Sequence, residues 1–469
     1  MPTTAPRPLV VTAGAAVLTA VAALGAALPA DAAPSVLYVS PTGSDSAAGT
    51  EAAPKRTPQA AVDALGPDGG VVRLATGRYG SRVEIVDRSH VTVEPAPGAV
   101  PVLDGAGLTV PADRVGMVEV TDSSDVVVRG LEITGWRTTS VASVPVGILV
   151  TGGGAGVRLE SNHVHHLGND NGTRGSMEMN AHGIAVYGTD TSTPLSDVDI
   201  VGNEVDHVVL GASEAVVVNG NVDGWTVTGN HVHHADNIGI DAIGYEGTVP
   251  RSVRYTDVNR ARNGVISDNL VTDIVTRGNP AYWDGDGWCN CAGGIYVDGG
   301  RSITISGNTI TRADIGIEVA AEDHRGTTND ITVTGNTITE SAWVGLAIGG
   351  YDSSRGSAHD VLVNENTLRG NNTLNDGSPE VLLQYKVHDT QIVDNSITST
   401  HPDYAVLVSR VPRAGSAAEN RNVVLDRNDY GAPVAASEAV FFWAAPEIVG
   451  FARWQTRSGQ DRASTFTTR

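Results

Sequence analysis

Lysine is almost missing from this chain. Lys55 and Lys386 are the only two in 469 residues, and 53 acidic against 31 basic residues leave a formal net charge of −22. No stretch gathers basic side chains, which excludes the electrostatic footprint of a nucleic-acid binder. The acidity also weighs against a polyanionic substrate unless a cation bridges the two. Aromatics amount to 5% while glycine supplies 55 residues, a balance suited to many tight turns between strands of small residues. Cysteine occurs twice, at Cys289 and Cys291 in WCNCAGG. With no second pair, the sequence argues against a cysteine zinc site. A local disulfide and two buried thiols both stay open, since alternate residues of a strand stand about 7 Å apart, near the limit for a bridge. Beyond Leu28 no apolar run is long enough to span a bilayer.

Residues 1–32 read as a secretory signal. Arg7 gives a positive start, Leu9–Leu28 is apolar and alanine-rich, and Ala30-Asp31-Ala32 offers a small-residue cleavage site. The alternative is a single membrane anchor. The expectation is a secreted, extracellular protein with no membrane attachment after processing.

A repeated phrase organises the rest. Asn162 opens NHVHHL, Asn203 NEVDHV, Asn230 NHVHHA, Asn269 NLVTDI, Asn308 NTITRA, Asn336 NTITES, Asn366 NTLRGN and Asn395 NSITST. After each comes a run of the Gly-Ile-x-Val type, such as Gly183–Val186, Gly294–Val297 and Gly316–Val319. Short strands recurring with Gly and Asn turns mark a solenoid, whose rungs contact only their neighbours. Asn tolerates a left-handed backbone at a turn, and stacked rungs let its side chain bond up and down the stack. Thr57-Pro58 followed by Gln59–Leu65 reads as a short helix with Thr as N-cap and Pro at N1, placed to cover one open end of the core.

From Leu37 onward these repeats resemble the right-handed parallel β-helix of the pectate-lyase-like superfamily. The opening YVSPTGSDSAAGTEAAPKRTP resembles that of many secreted β-helix enzymes acting on carbohydrate, and WQTRSGQD at Trp454–Asp461 resembles a C-terminal phrase of the same group, read here as a terminal cap. The resemblance implies an all-β fold: one parallel β-helix over residues 33–469, with caps at 33–70 and 431–469 and a short N-terminal capping helix. It implies a polysaccharide substrate and leaves the reaction open, because this fold hosts many chemistries.

Strand alternation then sorts the side chains. Aligning the Gly-Ile-x-Val runs sends Ala185, Val216, Asp241, Tyr296, Glu318, Ala347 and Leu382 outward. Flanking outward rows hold Gly183, Glu214, Gly239, Gly294, Gly316, Gly345 and Glu380 on one side, and Tyr187, Asp298 and Gln384 on the other. Asp241 and Glu318 fall two rungs apart, a separation suited to an inverting pair of carboxylates, and Asp298 with Glu318 suits the shorter retaining gap. Crowding would raise one pKa and leave a proton donor beside an ionised base. The candidate catalytic residues are therefore Asp241, Asp298, Glu318 and His182, the last immediately before the Gly183 strand. Tyr296, Trp283, Trp288, Glu214 and Lys386 are candidates for contacting substrate. Asp284-Gly285-Asp286 is too incomplete for a calcium loop. His166, His207 and His234 would stack as a structural ladder on a turn facing away from the groove, with a metal site or general base as the alternative.

Three functions compete. A glycoside hydrolase needs no cofactor. A polysaccharide lyase would use Tyr296, His182 or Lys386 as base while the acids hold calcium; the lyases resembled often use Lys or Arg, and no basic cluster stands among these acids. A non-catalytic glycan-binding surface protein is the third. In each the partner is a polysaccharide, and the chain is expected to be a monomer.

Overall fold

The computed structural model describes residues 35–401, 404–411, 416, 418–444 and 446–469. The secretory segment expected at 1–32 lies outside the described residues. Residues Ser35–Arg469 form one unit. Three long sheets of 13 strands each run its length. The first begins at Val36–Val39 and ends at Arg421–Asp426, the second begins at Val83–Val86, and the third runs from Gly77–Tyr79 to Thr465–Thr468. Neighbouring strands are parallel throughout, apart from Glu447–Val449, which closes the second sheet antiparallel to Val440–Trp443. Each turn of chain contributes one strand to each sheet, giving the right-handed parallel β-helix.

The interior is stacked aliphatic side chains. In the second sheet Ile184, Val216, Ile240, Ile295, Ile317 and Leu346 form one continuous inward row, all at 0–1% exposure. Small β-branched residues repeat here because each must pack on its own counterpart one rung away.

The asparagines form a buried ladder at the corner between the first and third sheets. The Oδ1 of Asn203 accepts from the backbone N–H and the Nδ2 of Asn162 at 2.9 and 3.0 Å. The same pair of bonds links Asn203 to Asn230, Asn230 to Asn269 and onward to Asn395. The ladder also includes Asn428, which the repeat reading did not pick out, and ends on Ser464 and Asp461.

Both ends of the core are covered. The N-terminal helix is Pro58–Ala64, with the Thr57 side chain accepting from Ala60 N–H, and it buries Pro58, Ala61 and Val62. At the other end Phe451–Ser458 is helical. Trp454 stacks on Phe441 at 4.7 Å and donates its indole N–H to Asp461 at 2.8 Å. The WQTRSGQD phrase thus holds the last rung.

Candidate functional site

Seven strands of the second sheet build the site: His182–Gly188, Val216–Gly220, Ile240–Ile243, Gly293–Asp298, Ile315–Ala320, Val344–Ile348 and Val381–Leu383. The register sets Asp241 beside Tyr296, and Tyr296 beside Glu318. The two acids are thus two strands apart, about 10 Å between backbones. Asp298 pairs with Ala320 and stands diagonally to Glu318.

Two features of the expected outer face are corrected. Val216 lies in the core and Val217 takes the outward position beside Ala185 and Asp241. The glycine row faces inward: a Cβ at Gly183, Gly294 or Gly316 would stand 2.4, 2.7 or 2.2 Å from the side chains of Val205, Ile310 or Ile338. Gly and Ile are both internal because the chain bends there as it leaves the third sheet. Glu380 belongs to that row and is 1% exposed. Its carboxylate accepts from the backbone N–H and Nδ2 of Asn371 at 3.1 and 2.6 Å, so it braces the stack and leaves the groove to others.

The outer face is an acidic island between two apolar patches. Val146, Leu149, Ala185, Tyr187, Val217 and Ile243 pack together on one side. Ile315, Val344 and Ala347 pack with Trp343 and Leu382 on the other. Between them Asp241, Glu318, Asp298 and Glu214 are buried beneath loops. Loss of water raises all four carboxyl groups. Glu318 is pushed up to about 8 by burial and then by Glu322, and Glu214 to about 8 by burial and then by Glu246. Asp241 rises well above its ordinary range through burial, Glu214 and Asp298. Asp298 rises through burial and Glu322, against the Glu322 backbone N–H donated to it at 2.6 Å. Glu322 also rises through burial, but the Arg355 guanidinium pulls it back. Glu214 Oε2, Asp241 Oδ1 and Gln384 Oε1 are buried without a hydrogen-bond partner, which suits groups that await a ligand.

A cavity of about 390 Å³ opens on this island. Glu318, Glu322, Tyr296 and Gln384 form its polar wall; Tyr282, Trp343, Tyr351, Ile238, Ile315, Met177 and the two cysteines complete it. Asp241, Asp298 and Glu214 are not among its walls. Cys289 and Cys291 are joined by a disulfide with Cα atoms 5.3 Å apart, closer than on a strand because the segment is irregular there.

The remaining candidates take other positions. His182 is fully buried: its Nδ1 donates to the Glu214 carbonyl at 3.0 Å, and the Tyr187 hydroxyl lies 3.4 Å from Nε2. Burial and the Arg114 guanidinium hold it neutral, with its pKa down at about 3. It therefore positions the segment carrying Glu214, just before the strand Val216–Gly220. Trp283 and Trp288 pack edge to face at 5.0 Å, with the Arg174 guanidinium 4.4 Å from the Trp283 ring. They pin their own loop and do not line the cavity. The Lys386 ammonium donates to the Arg355 carbonyl, which steadies the segment carrying the guanidinium that faces Glu322. Trp343, Tyr351 and Glu322 were not singled out from sequence as site residues. They sit on loops, where strand periodicity says nothing about direction.

Glu380 gives a clean pH test, since it is buried away from the cavity wall. Burial raises its pKa to about 8. A carboxyl raised in the folded state stabilises fully below its unfolded pKa, and that contribution disappears as pH rises through about 8. Stability should therefore fall between pH 5 and 9. Glu380→Gln should flatten that fall by a few kcal/mol, each tenfold change in proton affinity being worth about 1.4 kcal/mol. Melting temperature against pH, wild type beside variant, reads the difference.

No family model matches this chain. It is 34% identical over 434 residues to the uncharacterized protein YwoF of Bacillus subtilis (strain 168), covering 92% of this chain and 87% of that protein. Among solved structures, the GH136 lacto-N-biosidase from Eubacterium ramulus superposes with a TM-score of 0.55 at 12% identity, over 84% of this chain and 67% of that one. The surface adhesin PfbA of Streptococcus pneumoniae gives 0.52 at 12% identity, over 83% and 89%. The long shared stretch with the Bacillus subtilis protein places this chain in the YwoF family, and its fold is a right-handed parallel β-helix.

Proposed function

We propose that the protein is a secreted carbohydrate-active enzyme that cleaves glycosidic bonds by hydrolysis. The observation that carries this reading is Glu318, a cavity-wall carboxyl that keeps its proton to about pH 8 beside Glu322, whose own charge is favoured by Arg355. Burial raises both carboxyl groups, but only Glu322 has a guanidinium, that of Arg355, opposing the rise, and such a difference between neighbours is what an acid and a base require. Glu318 donates its proton to the glycosidic oxygen as the C–O bond breaks. Glu322 takes a proton from the water that attacks the anomeric carbon. Asp298 is itself raised by burial, Glu322 and Glu318, and Asp241 by burial, Glu214 and Asp298, so both stay protonated beside the pair. Tyr296, Tyr351 and Trp343 offer ring faces to the apolar sides of a sugar.

A second reading has its own observation. Glu214 Oε2 and Asp241 Oδ1 are buried carboxylate oxygens without partners, and a hard cation such as calcium takes oxygen ligands of this kind. That arrangement would suit a lyase acting on a uronate. The lacto-N-biosidase and the adhesin share this fold, so the fold does not choose between catalysis and adhesion.

The test is a screen of the purified protein against neutral, amino and uronic polysaccharides, with wild type beside Glu318→Gln, with and without chelator. Reducing ends that vanish in the variant and ignore chelator support the hydrolase. Unsaturated, ultraviolet-absorbing ends that chelator abolishes replace it with the lyase. Binding without product leaves a glycan-binding protein.

A further inference from the structure

The outer face of the third sheet carries a second cluster, remote in chemistry from the acidic island. Three successive rungs supply it. The register sets His163 beside Glu204 and Glu204 beside His231, and sets His165 beside Asp206 and Asp206 beside His233. The next residue of each rung is again histidine, and His166, His207 and His234 all have left-handed backbones, with φ of 53°, 49° and 51°. Their rings stack at 4.9 and 4.8 Å, tilted by only 7° and 6°, which is the strand spacing itself. Seven imidazoles and two carboxylates thus form a grid of three by three. It stops abruptly: the rung before places Glu132 and Thr134 at the first two positions, and the rung after places Leu270 and Thr272.

The stacked ladder accounts for one row of the grid. It does not account for two acids on the middle rung between two His-x-His rungs. Those acids are within reach of imidazoles on both sides. His163 Nε2 is 2.6 Å from Asp206 Oδ1 and 4.0 Å from Glu204 Oε2. His233 Nε2 and His231 Nδ1 are 3.2 and 3.9 Å from Glu204 Oε1. We propose that this face binds zinc-like divalent transition metal ions, with Glu204 and Asp206 as the central ligands and histidines of the flanking rungs completing each site. Three sets converge: His163, Glu204 and Asp206; Glu204, His231 and His233; and His166, Asp206 and His207, each with ligand atoms within 4.8 Å of one another.

Two ligands of one tetrahedral zinc lie about 3.3 Å apart, given bonds of about 2.0–2.1 Å. Small side-chain rotations close the gap, and the backbone needs no movement because the rungs are already locked. Two of the three sets offer two imidazoles and one carboxylate, a mixture that selects zinc, copper or nickel over calcium and magnesium, which prefer all-oxygen shells. Three protein ligands leave a fourth position open. Because Glu204 and Asp206 each belong to two sets, the first ion to bind takes a ligand from its neighbour's set.

The probe is Zn²⁺ alone, titrated into the full chain purified without a polyhistidine tag and stripped with chelator. At least one ion per chain is expected at micromolar affinity or tighter, undisturbed by millimolar Ca²⁺. The double variant Glu204→Gln/Asp206→Asn, which removes a carboxylate from every set, should bind at least tenfold more weakly, while Glu318→Gln binds as wild type. Glu204 is half-exposed and Asp206 is buried, both replacements keep the side-chain shape, and equal melting temperatures without metal would confirm folded variants. Co²⁺ gives a second readout: visible d–d absorption in wild type, lost in the double variant. Absence of saturable Zn²⁺ binding, displacement by Ca²⁺, or equal binding by the double variant would overturn the proposal.

Discussion

Glu318→Gln is expected to reduce product formation by roughly 10²–10⁴-fold, the usual contribution of a positioned general acid. The substitution keeps the shape of a cavity-wall side chain and removes the proton that burial and Glu322 hold in place. The same cause fixes the pH profile. A group that must donate is competent only while protonated, so rates should hold below about pH 8 and fall above it. Two independent readouts follow on whichever glycan the screen identifies. Initial rates from pH 5 to 10 should show the basic limb in wild type, and the residual rate of the variant should lack it. An unchanged rate in Glu318→Gln would move the chemistry away from this cavity.

The second large effect concerns the asparagine ladder. Asn269 accepts from the backbone N–H and Nδ2 of Asn230 at 2.9 and 3.0 Å. It donates to the Val227 carbonyl at 2.9 Å and, through both its N–H and Nδ2, to Asn308 Oδ1. Asn269→Ala keeps only the backbone donor and strands two donors of Asn230 and the Val227 carbonyl at a corner with 0–1% exposure. A buried polar group left unsatisfied costs about 1–3 kcal/mol, so three of them amount to a loss of roughly 3–9 kcal/mol by the same arithmetic. Thr309→Ala, on the exposed side of the neighbouring strand, should cost little. Denaturant unfolding with amide exchange on the flanking rungs measures both. Equal stability of the two variants would mean that the ladder is ornamental to the fold.

Much of this architecture could be read from the chain before any coordinates. The Asn phrases marked rung after rung because one backbone geometry and one bonding pattern recur at that corner, and only Asn meets both. The alignment of Asp241, Tyr296 and Glu318 survived because all three sit in the middle of strands, where alternation holds. It failed at the strand ends. Val216 and Val217 exchanged places because the run Ala215–Val218 is apolar on both faces, so its pattern carries no register. The glycine row pointed the wrong way because Gly and Ile straddle a bend. Trp283 and Trp288 could not be told from a sugar platform, since two loop aromatics that pack on each other have the same composition as two that wait for a ligand. Lys386 gave no sign that its ammonium would be occupied by a carbonyl 31 residues earlier.

The separation of the two caps from everything between them has an evolutionary consequence. Along the ladder each asparagine bonds to the rung above and the rung below, and the ladder advances by 28 residues from Asn308 to Asn336 and by 30 from Asn336 to Asn366. Duplicating or deleting one such segment would rejoin asparagine to asparagine and aliphatic row to aliphatic row, with no new core to invent. A lineage built this way can change its length in whole-rung steps between the acidic island and the C-terminal helix. Insertions of any other size must go into the loops, which are also where the cavity wall is made. Length and specificity can thus be inherited and altered as separate traits.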